Sequence, residues 1–315
     1  MATEQTRTKE AGIFVRPRWQ AARAVLGSLV SFARAKPLGF VSALVILGMI
    51  VIAIFAPLLA PFDPTEPFVG GPHLAPSSEF WLGTDVNGRD VMSRAFFGAR
   101  LSMYVGFVAV GLSVGIGTII GLTTGFFEGK LDLLGQRIID AVQAFPALIL
   151  ALGIIAVRGP SLNNALLVIT IVLIPGTARI VRGAVISIKQ NVFIEASRAL
   201  GASDARIMFR HILPNVTAPI IIQASILLGG AILFEASLSF LGAGASLDEP
   251  SWGAMISGRA GTGVDAPSEF RNWPWLVIVP AVAISLAVFS FNLLGDAIRD
   301  VLDPRLRGTG GGRLQ

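Results

Sequence analysis

The 315-residue chain is 53% hydrophobic and only 14% charged, with a mean hydropathy of +0.71. A soluble domain carries about 25% charged residues, so these proportions exclude a soluble enzyme, a disordered regulator and a nucleic-acid binder of the usual kind. The net charge of +5 then reads as membrane orientation rather than as the footprint of a nucleic acid, and the absence of cysteine removes disulfides and thiol chemistry.

A helical span needs roughly 20 mostly apolar residues. In chain order, a basic N-terminal segment, 1–37, precedes an uncharged run, Leu38–Ala60. That run is too long for a signal-peptide core and reads as an uncleaved first span. An outer loop completes the unit 38–101, and 102–297 forms a five-helix core. Its spans are expected at Ser102–Phe126, Val142–Val157 (extended back to about Arg137), Leu166–Ile180 (extended back to Asn163), Ala218–Leu241 and Trp275–Leu294. Arg158–Leu162 reads as a tight hairpin, and 298–315 as a C-terminal tail. The fold class is therefore an all-α membrane protein with six transmembrane helices. Lys and Arg concentrate in the N-terminal segment and in the 181–215 loop, whereas 61–100 and 242–274 are acidic or balanced. By the positive-inside rule both termini are cytoplasmic.

Gly111 and Gly115, and then Gly117, Gly121 and Gly125, recur every four residues. Such a stripe lets another backbone approach closely, either as plain bundle packing or as a sliding surface. Pro146 and Pro175-Gly176 are expected to interrupt the third and fourth spans, lining a pathway or merely shaping the bundle. Glu235 and Asp140 are the ionisable residues at membrane depth. Glu235 is a weak pathway candidate, although both lie near span ends, where snorkelling suffices.

The 181–215 loop holds two short helices. In Val192–Leu200 an apolar face is made by Val192, Ala196, Ala199 and Leu200. Gly201 suits the left-handed turn after it. Ser203 and Asp204 then cap Ala205–Ile212, which Pro214 is expected to end. This loop carries a family likeness. Glu195-Ala196-Ser197, Gly201 and Ile212-Leu213-Pro214 resemble the EAA loop of ABC importer permeases, with Ser197 in place of the third-position alanine. Leu82-Gly83-Thr84-Asp85, Gly88-Arg89-Asp90, Ser93-Arg94, Leu238–Gly242, Ser251-Trp252-Gly253, Asn292–Asp296 and Leu302–Arg305 look like the peptide-transporter branch, in particular its second (C-type) permease.

The resemblance implies the type I ABC importer permease fold in a bacterial inner membrane. It implies an ATPase-coupling site at Glu195, Ala196, Ser197, Arg198, Ala199, Leu200, Gly201 and Pro214. It further implies a second homologous permease subunit, two ATPase subunits and an extracytoplasmic binding protein as partners, with membrane lipid around the spans. No cofactor is expected on this chain, since it has no G-x-x-x-x-G-K-[ST] loop and ATP is hydrolysed by the partners. Short peptides are the implied cargo, with nickel chelates or another small solute as the alternative. A stand-alone secondary transporter would need repeats and a midplane ion site, and an intramembrane enzyme a nucleophile and base within the bilayer. The outer loop 260–272 looks longer than the family's.

Overall fold

A computed structural model describes residues 30–244, 249–257 and 270–302. The basic residues before 30, the outer segment 260–269 and the tail after 302 lie outside the described residues. Every element is helical: α1 (Pro37–Leu59), α2 (Val91–Phe127), α3 (Gly129–Gln143), α4 (Ala147–Arg158), α5 (Leu162–Lys189), α6 (Val192–Ala199), α7 (Asp204–Arg206), α8 (Thr217–Phe240), α9 (Trp252–Ile256) and α10 (Pro274–Leu302). Between α7 and α8 the chain takes a π-helical stretch, Ile207–Ile212, and one further turn, Leu213–Asn215. The only strand-like pairing among the described residues is an isolated bridge, Thr84 to Asp90.

Five helices are long and apolar enough to cross a membrane: α1, α2, α5, α8 and α10. The third expected span is not one straight helix. It divides at Ala144–Pro146 into α3 and α4, bent by 85° to each other. Pro146 caps α4 rather than sitting inside a helix. The 12-residue α4 is only about 18 Å long at 1.5 Å per residue, too short to cross alone. The pair makes a sixth span if its halves count together.

Pro175-Gly176, by contrast, does not interrupt α5, which runs through it for 28 residues. The expected glycine stripe is filled by α5 itself. A Cβ on Gly117 would lie 2.7 Å from Thr177 Cβ, on Gly121 2.5 Å from the Ala178 carbonyl oxygen, and on Gly125 2.9 Å from that of Arg182. The two backbones touch along two turns, and the contact runs from Ile174 to Arg182, on both sides of the proline. Plain bundle packing thus accounts for Gly117, Gly121 and Gly125, while Gly111 and Gly115 face open space.

The hairpin at 158–162 is present. Gly159 takes φ +85°, Ser161 Oγ accepts from the Asn164 N–H at 3.2 Å, and the Asn164 amide donates to the carbonyls of Arg158 and Gly159. At the other end of the fold Lys36 pairs with Asp300, joining the start of α1 to the end of α10. Asp140 pairs with Arg179 across α3 and α5 at 2.9 Å, and Asp132 holds Arg182 through two bonds of 2.6 Å. α10 runs eight residues past the expected Leu294, so Asp296 lies on the helix and Arg299 and Asp300 lie on it rather than in the expected tail.

α2 begins well before Ser102 because Asp90 caps it. Its carboxylate accepts from the backbone N–H and the hydroxyl of Ser93, both at 2.7 Å, satisfying donors that a helix start leaves open. The outer loop before it is a packed unit. Thr84 Oγ1 donates to the Gly71 carbonyl at 2.6 Å and accepts from the Leu74 N–H at 2.8 Å. Asp85 pairs with Arg89 at 2.7 Å and Arg94 at 3.6 Å, both arginines being buried. Removing a carboxylate from buried guanidinium groups costs about 3–5 kcal/mol. Asp85→Ala should therefore lower the thermal-aggregation midpoint of the detergent-solubilised protein, and Asp85→Glu should recover part of it.

Candidate functional site

Two polar or exposed arrangements stand out, one at each end of the bundle. The first is the helical loop between α5 and α8. Its α6 is amphipathic in an unusual sense: one large side chain, Ile194, is buried, and the apolar residues opposite it are bare. Val192 is 79% and Leu200 89% exposed, with Ala196 and Ala199 exposed between them. These are the four residues that helical spacing groups on one face. Glu195 and Arg198 are exposed beside them.

The helix ends as the sequence predicts. Gly201 has φ +79°. Its N–H donates to the Arg198 carbonyl at 2.9 Å, and the Ala202 N–H donates to that of Ser197 at 3.1 Å. These two bonds form the Schellman motif. A Cβ on Gly201 meets nothing within 4 Å, so backbone conformation rather than space demands glycine there. Ser197 Oγ bonds back to the Phe193 carbonyl, which leaves its small surface in the face intact.

Ser203 caps the second helix as expected, accepting from the Arg206 N–H. Pro214, however, does not end it. The chain widens into the π-helical stretch before it and then turns once more, with Pro214 in the first turn of that element. The break comes at Val216. Proline has no N–H to donate and suits a helix start.

The loop is fastened to the spans by an apolar cluster. Ile194, Ile207, Met208 and Ile212 pack with Leu122 and Phe126 of α2, Val181 and Val185 of α5, and Val216. Phe126 is the platform. The Arg198 guanidinium lies 5.5 Å and the Lys189 ammonium 5.7 Å from its ring centre, within cation–π range. Lys189 also donates to the Phe126 carbonyl at 2.7 Å and pairs with Glu128 at 2.9 Å. Ile194 was not singled out by its sequence; the signal was a lone large β-branched side chain opposite the small face. The arrangement is a rigid knob with a bare apolar crown, seated on α2 and α5.

The second arrangement surrounds Glu235, near the far end of α8. The side chain is 1% exposed. Ser102 Oγ donates to it at 3.0 Å from α2, Ser239 Oγ at 2.7 Å from the next turn of α8, and Ser251 bonds it from the cap of α9. In the outer loop His73 stacks on Trp273, ring centres 3.6 Å apart. Burial pushes the His73 imidazole below its ordinary pKa, with Asp85 opposing.

Comparison with known proteins fits this architecture. Residues 117–308 match the family model described as the inner membrane component of binding-protein-dependent transport systems. Residues 33–77 match that of the N-terminal transmembrane domain of oligopeptide transport permease C. The chain is 44% identical over 270 residues, 86% of each chain, to the dipeptide transport system permease protein DppC of Alkalihalophilus pseudofirmus. It is 41% identical over 276 residues to the glutathione transport system permease protein GsiD of Escherichia coli O1:K1, covering 87% of this chain and 89% of that one. Among solved structures, the inward-facing MetNI methionine ABC transporter matches with a TM-score of 0.55 and 21% identity over 67% of this chain and 97% of that one; at this identity the likeness bears on fold alone. This chain, a multi-pass protein of the bacterial inner membrane, belongs to the family of inner-membrane permease components of binding-protein-dependent transport systems.

Proposed function

We propose that this chain is the C-type permease subunit of an ATP-driven importer of short peptides, pairing with a homologous permease, two ATPase subunits and an extracytoplasmic binding protein. The observation that carries the reading is the bare apolar crown of α6 on a rigid mount. An 89% exposed leucine beside an exposed valine in water is costly unless another surface covers it. The family's EAA pattern falls on this crown, with Glu195, Ala196, Ser197, Arg198, Ala199, Leu200 and Gly201 as the docking residues and Pro214 at its base. The chain brings no ATP site of its own, so energy enters by contact. A partner that closes on the crown pushes α2 and α5 through the Ile194 cluster and shifts the bundle between inward-open and outward-open packings. The peptide cargo rests on the relatives, whose named substrates are a dipeptide and glutathione, itself a short peptide.

Six crossings with both termini cytoplasmic complete the proposal. The Lys36–Asp300 pair supports it by parity: a chain that leaves and returns on one side crosses an even number of times. Five full spans then need the bent α3–α4 pair as the sixth. Leu200→Asp tests the docking surface. It should abolish co-purification of the ATPase subunits and reduce peptide uptake at least tenfold, with normal amounts of permease in the membrane. Normal uptake and normal ATPase recruitment by this variant would overturn the reading.

A further inference from the structure

The serine cage around Glu235 lies at the opposite end from the docking crown and has no part in it. The carboxyl receives hydroxyls from three separate pieces of chain: Ser102 on α2, Ser239 on α8 and Ser251 at the cap of α9. Burying a carboxyl is expensive unless its lone pairs are satisfied, and Glu235 occupies the junction where a single side chain can tie all three pieces.

α9 spans five residues, four of them buried, with Trp252 and Met255 in the main apolar cluster. It is wedged tightly. The Gly253 backbone sits so close to α8 that a Cβ would overlap the Ala236 carbonyl. Trp252 is 1% exposed and fills the space above Gly98, where a Cβ would lie 2.5 Å from its ring, and its indole N–H donates to the Ala95 carbonyl at 2.9 Å. Ser251 caps α9 by accepting from the Ala254 N–H at 3.3 Å while it also bonds Glu235. The steric contacts set where α9 lies. The bonds of the cage add a polar link between α9 and the two long helices.

We propose that Glu235 is a positioning residue that makes α9 one rigid body with the outer parts of α2 and α8, so that the outer surface of the permease moves with its spans during transport. The link to transport rests on the importer reading above; the clamp itself does not.

The chain has no cysteine, so a single introduced thiol is a unique probe. Ser257, just after α9, is 7% exposed, and Ala165, at the hairpin end of α5, is 1% exposed. Each is replaced by cysteine in the full chain, expressed with its partner subunits, and labelled with a membrane-impermeant maleimide in right-side-out vesicles. With Glu235 present both sites should label slowly. Glu235→Ala should raise the rate at Ser257→Cys at least tenfold and leave Ala165→Cys within twofold. Glu235→Gln, whose amide still accepts and donates hydrogen bonds, should keep Ser257→Cys within twofold of the parent. Uptake should fall at least tenfold in Glu235→Ala and recover to half or more in Glu235→Gln.

An unchanged labelling rate in Glu235→Ala overturns the clamp, as does a parallel rise at both sites, which marks general loosening. Fast labelling with normal uptake overturns its role in transport. If the parent protein itself fails to move peptides, the importer reading falls, and the labelling rates still decide the clamp.

Discussion

Gly121→Leu should leave cells with almost no assembled permease, measured as full-length protein surviving in the membrane fraction after detergent extraction and size-exclusion chromatography. Gly121 is in the middle of the α2–α5 contact. A Cβ there already meets the Ala178 carbonyl oxygen at 2.5 Å, Val181 Cβ at 2.8 Å and the Arg182 amide at 2.9 Å. Two of the three obstacles are backbone, which cannot rotate away. In lipid the helices gain little by hiding apolar surface from each other, so close fit carries their association. Separating α2 from α5 also strips α5 of its contacts around Pro175 and removes the mount of the loop between α5 and α8. Gly111→Leu is the matched control. Its Cβ meets nothing within 4 Å, and the protein should accumulate at the parental level.

Ile194→Ala should give the second large effect, on coupling rather than assembly. Ile194 is 1% exposed and is the one buried residue of α6. Cutting a buried isoleucine to alanine costs about 2–5 kcal/mol. That loss falls on an eight-residue helix held by few other contacts, so α6 should detach while the spans stay folded. ATPase subunits pulling on a loose helix transmit little force. Peptide uptake should drop at least tenfold, with permease abundance within twofold of the parent and basal ATP hydrolysis persisting. Ile194→Val, which removes one methylene at about 0.5–1.5 kcal/mol, should retain most of the uptake. Equal uptake by parent and alanine variant would show that α6 is held by something other than this cluster.

Hydropathy located α1 and α8 to within a residue, because their apolar runs begin and end where the helices do. It shortens α2, α5 and α10 at their polar ends: α5 runs on from the expected Ile180 to Lys189, so the first nine residues of the expected 181–215 loop are helix. Apolarity marks where a helix meets lipid, whereas hydrogen bonding carries α2 back to the Asp90 cap and α10 on through Asp296, Arg299 and Asp300. The two prolines show what one span cannot say about itself. Pro175 lies within α5, against which α2 packs, and Pro146 stands at a break where α3 turns away. Both read alike in sequence.

The exposed apolar crown of α6 is legible because a face at 3.6-residue spacing is a local property, as is the glycine that follows it. The role of Ile194 is not legible in sequence, because its partners, from Leu122 to Val216, come from distant stretches of chain. Glu235 was visible as a charge at depth, and Ser239 four residues on is its neighbour on the same helix. Ser102 and Ser251 are brought to it only by the fold, which turns a weak pathway candidate into the centre of a buried junction.

α2 has one further consequence. At 37 residues it is about 55 Å long by its rise per residue, well beyond a hydrocarbon core of about 30 Å. One end meets Asp85 through Arg94 and the Glu235 junction through Ser102, and the other carries the Phe126 platform. A beam of this length tilted by about 10° about its centre would swing its two tips by about 5 Å in opposite directions. On the importer reading proposed above, cargo delivery outside and nucleotide binding inside would act on opposite arms of one helix, and each would sense the other with equal strength, since coupling free energy between two sites is reciprocal.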